Sequence, residues 1–171
     1  MSKLYTREAL VGQRESWKSE GKKVVFTNGC YDVLHPGHIR LLERARSLGD
    51  ILILALNTDG SVRRFKGPLR PFFDEGERAE LALHLEAVDA VVLFDEDTPR
   101  ELIAAVLPDV LVKGADWAHF IAGREEVEAA GGQVHALPLE PGFSTTDIAG
   151  KVLSRLQSTS ETKQSVSSVS L

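Results

Sequence analysis

This sequence predicts an open, doubly wound α/β sheet of about five parallel strands, and three observations carry that prediction. Short apolar runs alternate with amphipathic helical segments from Val24 to Leu156, the pattern that right-handed crossovers fold into one sheet with helices on both faces. Ile51-Leu52-Ile53-Leu54-Ala55-Leu56 is apolar without interruption, as a parallel strand covered on both faces is. The first strand runs through a short turn into a helix that opens on His35-Pro36-Gly37-His38. In such sheets ligands bind at the carboxyl ends of the strands, where the strand order reverses.

The elements follow in order. Arg7 to Ser19 reads as an amphipathic leading helix and residues 1–21 as an N-terminal helical extension. Val24 to Thr27 is the first strand. Pro36 opens the next helix, where its missing N–H costs little. Ile39, Leu42, Ala45 and Leu48 form that helix's apolar face, and Gly49 suits its C-terminal cap. Asn57 to Phe73 reads as a long basic connection holding Arg63, Arg64, Lys66 and Arg70, and a loop of that length is often functional. Asp74 to Glu86 is a helix, Ala90 to Phe94 a strand, and Thr98-Pro99 starts a helix to about Leu107. Val110 to Val112, Glu125 to Ala130 and Val134 to Leu137 read as strand, helix and strand. Ser144-Thr145-Thr146-Asp147 has the form of a capping box and starts the last helix, to about Leu156. The main domain is thus 22–156. The Ser/Thr-rich stretch 157–171 has few residues that could pack and reads as a disordered tail.

Composition narrows the function. The chain has 171 residues, 43% of them hydrophobic, enough for one core. A net charge of −5 argues against a broad grip on nucleic acid. Cys30 is the one cysteine, so no intrachain disulfide forms, which fits a reducing compartment. The N-terminus lacks an apolar signal core, and the longest apolar run, Ile51 to Leu56, is too short to span a bilayer. A cytoplasmic protein without membrane partners is expected.

The chemistry centres on the two histidines. Backbone N–H groups at a helix start attract anions, and imidazoles add directed donors beside them. A phosphate chain is the expected ligand. Neither the Gly-x-Gly-x-x-Gly fingerprint nor a P-loop is present. His35 and His38 lack the partner set of a zinc site.

Thr27-Asn28-Gly29-Cys30-Tyr31-Asp32-Val33-Leu34-His35-Pro36-Gly37-His38 resembles the signature of the cytidylyltransferase-like nucleotidyltransferases. A second signature of that superfamily is matched by Gly142 and Ser144-Thr145-Thr146. Within the superfamily the chain is most similar to the adenylyltransferase domain of the bifunctional heptose enzyme. The stretches that carry this are Lys66 to Pro71, Glu86 to Asp89, Phe94 to Pro99 and Leu107 to Asp116. The resemblance implies transfer of AMP from ATP to D-glycero-β-D-manno-heptose 1-phosphate, giving ADP-heptose and pyrophosphate. About 20 residues precede the first strand, so the sugar kinase domain of that relative is not expected here. Glycerol-3-phosphate cytidylyltransferases carry Arg-Thr-Glu-Gly before their Ser-Thr-Thr, whereas this chain has Leu139-Glu140-Pro141-Gly142, which argues against the cytidylyl branch. A smaller residue than Phe143 is expected in the heptose enzymes. The alternatives are a glycerol-3-phosphate cytidylyltransferase or an FAD synthetase-type enzyme and, in a different class, a nucleotide-binding regulatory module without catalysis.

The resemblance assigns catalytic roles to His35, His38 and Lys66, with Mg2+ bridging phosphate oxygens. It places the nucleotide against Thr27, Asn28, Gly29, Cys30, Tyr31 and Gly37, against Lys113, Gly114 and Asp116, and against Ser144, Thr145 and Thr146. Arg78 either reaches the nucleotide or makes a surface salt bridge. Asp32 either helps hold the metal, orients the site or caps a turn. Ser144 would cap its helix in any protein, and Trp117 reads equally as packing or as a base platform. Nothing marks Cys30 as a nucleophile. Homodimers are common for this fold.

Overall fold

The computed structural model describes residues 3–167, and side chains through residue 158. Among the described residues there are six strands and seven helices. They are β1 (Lys3–Tyr5), α1 (Arg7–Ser19), β2 (Val24–Gly29), α2 (Pro36–Arg46), β3 (Ile51–Asn57), α3 (Asp59–Lys66) and α4 (Glu75–Leu83). The remainder are β4 (Ala90–Phe94), α5 (Arg100–Val106), β5 (Val110–Gly114), a 3-10 turn at Ala115–Trp117, α6 (Arg124–Ala129), β6 (Gln133–Leu137) and α7 (Thr145–Ser167). The strands form one sheet in the order β1-β4-β3-β2-β5-β6, with every pairing parallel.

Period-two alternation splits the core into two layers. Val24 and Phe26 of β2, Ile53 of β3 and Val92 of β4 face Leu10 and Trp17 of α1 and Leu102 and Ile103 of α5. The intervening residues Val25, Leu52, Leu54 and Val91 face Leu42 and Ala45 of α2 and Ala79 and Ala82 of α4. Every residue of β3 is buried, which explains its unbroken apolar run. The amino ends of the strands are stitched by carboxylates: Asp109 Oδ2 accepts from Val24 N at 2.7 Å, and Asp89 Oδ2 from Leu52 N at 2.8 Å.

The sheet of about five parallel strands stands, and three stretches of the chain differ from expectation. The sheet has a sixth strand, because Lys3–Tyr5 pairs with Ala90–Val92 at the edge. Residues 1–21 are therefore not helical throughout, and the missed strand is only three residues long, too short to show alternation. The connection from Asn57 to Phe73 contains a helix, α3. Thr58 caps it by accepting from Ser61 N at 3.2 Å, and its last turn carries Arg63, Arg64 and Lys66, which suits the negative end of the helix dipole. Beyond Gln157, where a disordered tail over 157–171 is expected, α7 continues to Ser167, while residues 168–171 lie outside the described residues. After Gly150 the chain has neither Gly nor Pro to stop a helix. Among the described residues no helix is long and apolar enough to cross a membrane.

Gly49 shows how closely the α2–β3 turn meets β2. A Cβ there would lie 2.6 Å from Lys23 O and 2.7 Å from Val25 Cγ2. Gly49→Ala is expected to destabilise the fold by about 1–3 kcal/mol through overpacking. Urea unfolding measures this, and an unchanged midpoint would refute so tight a turn.

Candidate active site

The strand order reverses between β2 and β5, and the main cleft opens there. It has a volume of about 720 Å³, within the usual range for a small-molecule site. Lys113 of β5 bridges the two strand ends, donating from Nζ to Asn28 O at 2.9 Å. Burial lowers this amine to about 8, against the opposing effects of Cys30 and Asp116.

The turn after β2 is strained where it enters the cleft. Tyr31 and Val33 adopt φ of 49° and 53°, left-handed values that are unfavourable for a β-branched residue such as Val33. Gly29 leaves room for the Tyr31 ring, which a Cβ here would approach to 3.0 Å. Thr27 hydrogen-bonds the Tyr31 side chain, yet burial dominates and raises that phenol to about 12. Burial likewise raises the Cys30 thiol, with Lys66 and Arg78 opposing. The thiol therefore stays protonated near neutral pH and is a poor nucleophile.

His35 is the N-cap of α2, and its Nδ1 accepts from His38 N at 3.3 Å. A neutral imidazole that accepts at Nδ1 carries its proton on Nε2, so His35 keeps a donor for the cleft. The His35 and His38 rings stack with centroids 3.7 Å apart and planes 16° apart. Two imidazolium ions would not stack at that separation. Burial lowers the pKa of His35. It lowers His38 to about 3, helped by His35 and Lys66 and opposed by Asp32. His38 Nδ1 is buried with no hydrogen-bond partner among the described residues. Gly37 fits closely, because a Cβ would lie 3.1 Å from both His35 Nδ1 and Phe143 Cβ.

Lys66 lines the cleft from the C-terminal end of α3, and not from an irregular loop as expected. The segment after it is pinned by Asp32, which is 1% exposed. Asp32 accepts from Phe72 N at 3.0 and 3.1 Å, from Phe73 N at 3.0 Å and from Arg70 Nε at 2.9 Å. Arg70 Nη2 lies 2.8 Å from the same carboxylate. Burial of apolar side chains does not hold this segment, since Leu69 is 85% exposed and Phe72 53%. The Asp32 carbonyl also accepts from Thr145 Oγ1 at 2.7 Å. One residue thus joins the β2–α2 turn, the segment behind Lys66 and the start of α7. With both oxygens engaged, Asp32 does not fit a metal ligand, which corrects that expectation. Among the described residues no cluster of three or more His, Cys, Asp or Glu could hold a cation.

Arg78 is corrected as well. It is 1% exposed and does not line the cleft. Its guanidinium donates to Cys30 O at 2.8 Å, Phe73 O at 3.1 Å and Asp59 Oδ1 at 2.9 Å. All three nitrogens are committed, so Arg78 braces the phosphate turn from behind.

Thr27, Asn28, Gly29, Cys30, Tyr31, Gly37, Lys113, Gly114, Asp116, Ser144, Thr145 and Thr146 all lie along the cleft. Ser144 Oγ accepts from Asp147 N at 3.0 Å and caps α7. Gly114 passes so close to the opposite wall that a Cβ would meet Asp116 Oδ1 at 2.5 Å and Leu139 Cδ2 at 2.9 Å. Trp117, half-exposed, stands over Lys113 Nζ, which is 5.7 Å from its ring centroid.

The sequence singled out the loop before α7 but not its contacts with α2. Glu140 is paired with Arg40 at 2.8 Å and with Arg44. Phe143 lies under the Arg40 guanidinium at 5.6 Å and faces the His35 ring at 6.3 Å. Charged residues on both partners were visible in the sequence, but a separation of 96–100 residues gave no reason to join them. Phe120 also lines the cleft and carried no local signal.

A strained strand-to-helix turn opening a helix at the switch point of a parallel sheet is the architecture of an α/β nucleotide-binding fold. The cytidylyltransferase-like family profile matches residues 26–151, and the chain belongs to that family. It is 51% identical over 155 residues to the Bifunctional protein HldE of Trichlorobacter lovleyi, covering 90% of this chain and 32% of that one. The Hyphomonas neptunium protein of the same name is 51% identical over 149 residues, covering 86% and 31%. The chain thus spans about a third of the length of these curated relatives. Among solved structures, a lipopolysaccharide core biosynthesis protein from Thermoplasma volcanium aligns with a TM-score of 0.57 and 30% identity, covering 70% of this chain and 98% of that one. A pantoate-beta-alanine ligase from Francisella tularensis aligns with a TM-score of 0.54 at 15% identity, covering 87% and 76%, a likeness of fold alone.

Two outcomes follow from this geometry. The folded protein keeps His38 uncharged down to about pH 3, whereas an unfolded histidine takes its proton near 6.5. Between those values the unfolded state binds more protons, so stability falls as pH drops from about 6.5 toward 3. His38→Gln should flatten that limb in denaturant titrations at stepped pH, and an unchanged slope would contradict a buried neutral His38. Asp32→Asn removes the charge facing Arg70 and should cost about 3 kcal/mol. Amide exchange should then speed up at Phe72 and Phe73, and exchange as slow as in the parent would show that something else holds the segment.

Proposed function

We propose that the protein is a nucleotidyltransferase that transfers AMP from ATP to a sugar 1-phosphate, D-glycero-β-D-manno-heptose 1-phosphate, giving ADP-heptose and pyrophosphate. The observation that carries this reading is the stacked, uncharged histidine pair at the start of α2, facing a cleft with Lys66 and Lys113 on its walls. The heptose acceptor rests on the sequence resemblance and on the half-identical HldE relatives.

The acceptor phosphate is an anion at neutral pH, so attack on the α-phosphorus needs no general base. A phosphate oxygen of the sugar forms the new P–O bond. The bond from the α-phosphorus to the bridging oxygen breaks, and pyrophosphate leaves with the electron pair. The obstacle is charge, and positioning with electrostatic stabilisation removes most of it. Nε2–H of His35 and the ring of His38 donate to oxygens on the phosphate chain, with the N–H of Gly37 at the start of α2 beside them. Lys66 neutralises the leaving pyrophosphate. Lys113, Gly114 and Asp116 meet the adenosine, with Trp117 as a platform for the base. Mg2+ would enter with ATP as substrate and would offset charge on the nucleotide's phosphates. ATP supply fits a reaction in the cytoplasm.

His35→Ala and His38→Ala are each expected to lower kcat by a factor on the order of 10², the effect of losing one oxyanion donor, with the fold retained by circular dichroism. Lys66→Ala should lower kcat more than it raises KM for ATP, because it acts on charge that develops in the transition state. Near-parental turnover in either histidine variant would remove the assigned role.

Initial rates with heptose 1-phosphate and each of the four ribonucleoside triphosphates test the specificity. ATP should give the highest kcat/KM, since a site that hydrogen-bonds one base rejects another that leaves its polar groups unmet. A higher value with CTP would overturn the adenylyl assignment.

A further inference from the structure

Among the described residues three cationic side chains line the catalytic cleft: Lys66, Arg70 and Lys113. The two lysines serve the leaving pyrophosphate and the adenosine. Arg70 has no such task, yet its guanidinium is fixed as firmly as any group in the site. Nε donates to Asp32 Oδ2 at 2.9 Å, and Nη2 lies 2.8 Å from the same oxygen. Phe72 covers one face, with its ring centroid 4.6 Å from Cζ. Nη2 is sealed from solvent, whereas Nη1 is not, and Nη1 has no hydrogen-bond partner among the described residues. That nitrogen keeps two N–H donors for a ligand.

Packing alone does not account for this arrangement. Leu69 and Phe72, beside Arg70 in the chain, are exposed, so the segment buries little apolar surface. Its polar contacts converge on holding one long side chain. An arginine fixed in advance loses less rotamer freedom when an anion arrives, and binds it more tightly for that reason. The sheet order says which anion. The ends of β3 and β4 lie on one side of β2, and β5 lies on the other. Lys113, Asp116 and Trp117, the adenosine contacts, belong to the β5 side. Arg70 lies on the crossover from β3 to β4, and the cleft continues there past Asn57, Asp97 and Thr98. The β2–α2 turn with its two histidines stands between the two sides.

We propose that Arg70 binds the phosphate group of the acceptor, on the β3–β4 side of the cleft, and so positions it for attack. This rests on the reading of the cleft as a nucleotidyltransferase site. The acceptor must approach the α-phosphorus roughly in line with the departing pyrophosphate and from the opposite side. It is itself an anion and needs a cation of its own, since His35, His38 and Lys66 already serve the nucleotide. Nη1 of Arg70 supplies charge-assisted donors to it. Asp32 keeps the opposite edge of the guanidinium in place, which gives that carboxylate a second purpose besides pinning Phe72 and Phe73.

Steady-state kinetics on the full chain test this, with ATP and the acceptor varied in turn for the parent, Arg70→Gln and Arg70→Lys. Heptose 1-phosphate is the first acceptor, and other sugar phosphates and glycerol phosphate follow. In both variants KM for the acceptor should rise about tenfold or more, the effect of losing a hydrogen bond to a charged group, while KM for ATP stays near the parental value. Arg70→Lys keeps a cation beside Asp32, so amide exchange at Phe72 and Phe73 should stay slow in that variant. A role confined to bracing the segment would instead displace Lys66, lowering kcat and shifting KM for ATP. That pattern, a rise confined to ATP, or a parental acceptor KM in either variant would overturn the proposal. Should the parent use another phosphate ester and not heptose 1-phosphate, the heptose reading fails. A selective rise in KM for that other ester would then still uphold Arg70. A parent that uses no phosphate ester at all would overturn both.

Discussion

The hydrogen bond from His38 N to His35 Nδ1 organises the site that the fold presents. It makes His35 the cap of α2 and sets the ring tautomer in one step. With the tautomer set, a donor remains for the cleft, and the two rings can stack at this separation as long as they are not both charged. The low-dielectric surroundings supply that condition, since burial is the leading cause of the depressed pKa at both rings. An anion that enters then meets preorganised dipoles rather than mobile water, which is where electrostatic catalysis gains most.

Much of the surrounding structure reads as support for that pair. Arg78 braces the turn through the Cys30 carbonyl, and Asp32 fastens the segment behind Lys66. Phe143, held over α2 by Arg40 and the Glu140 ion pairs, covers the His35 face. The left-handed backbone at Tyr31 and Val33 is tolerated because these contacts over-determine it. Strain of this kind is retained where it keeps a site in one geometry.

The alternation of β3 with its flanking helices, the Pro36 helix start and the paired signatures at 27–38 and 142–146 made the sheet and the histidine turn legible in the sequence. Each is a local pattern with a local physical cause. Helix α3 was legible too, through Thr58, the basic last turn and Gly67, but its arginines and the prolines that follow it at positions 68 and 71 drew the reading toward a loop. Asp32 and Arg78 were found as residues and missed as roles. Both sit in a motif or helix that suggests ligand contact, while their partners, Phe72, Phe73 and Cys30, come from elsewhere in the chain. Long-range hydrogen bonds to backbone leave no trace in side-chain patterning. The edge strand Lys3–Tyr5 was hidden for a different reason: three residues cannot display a period.

The account stands on the charge and tautomer of the histidine pair. Long-range ¹H–¹⁵N correlation spectra of the imidazole nitrogens at pH 7.5 read both directly. The structure predicts two neutral rings, with the His35 proton on Nε2 and its Nδ1 shifted as an acceptor. Imidazolium signatures at either ring, or a His35 proton on Nδ1, would contradict it.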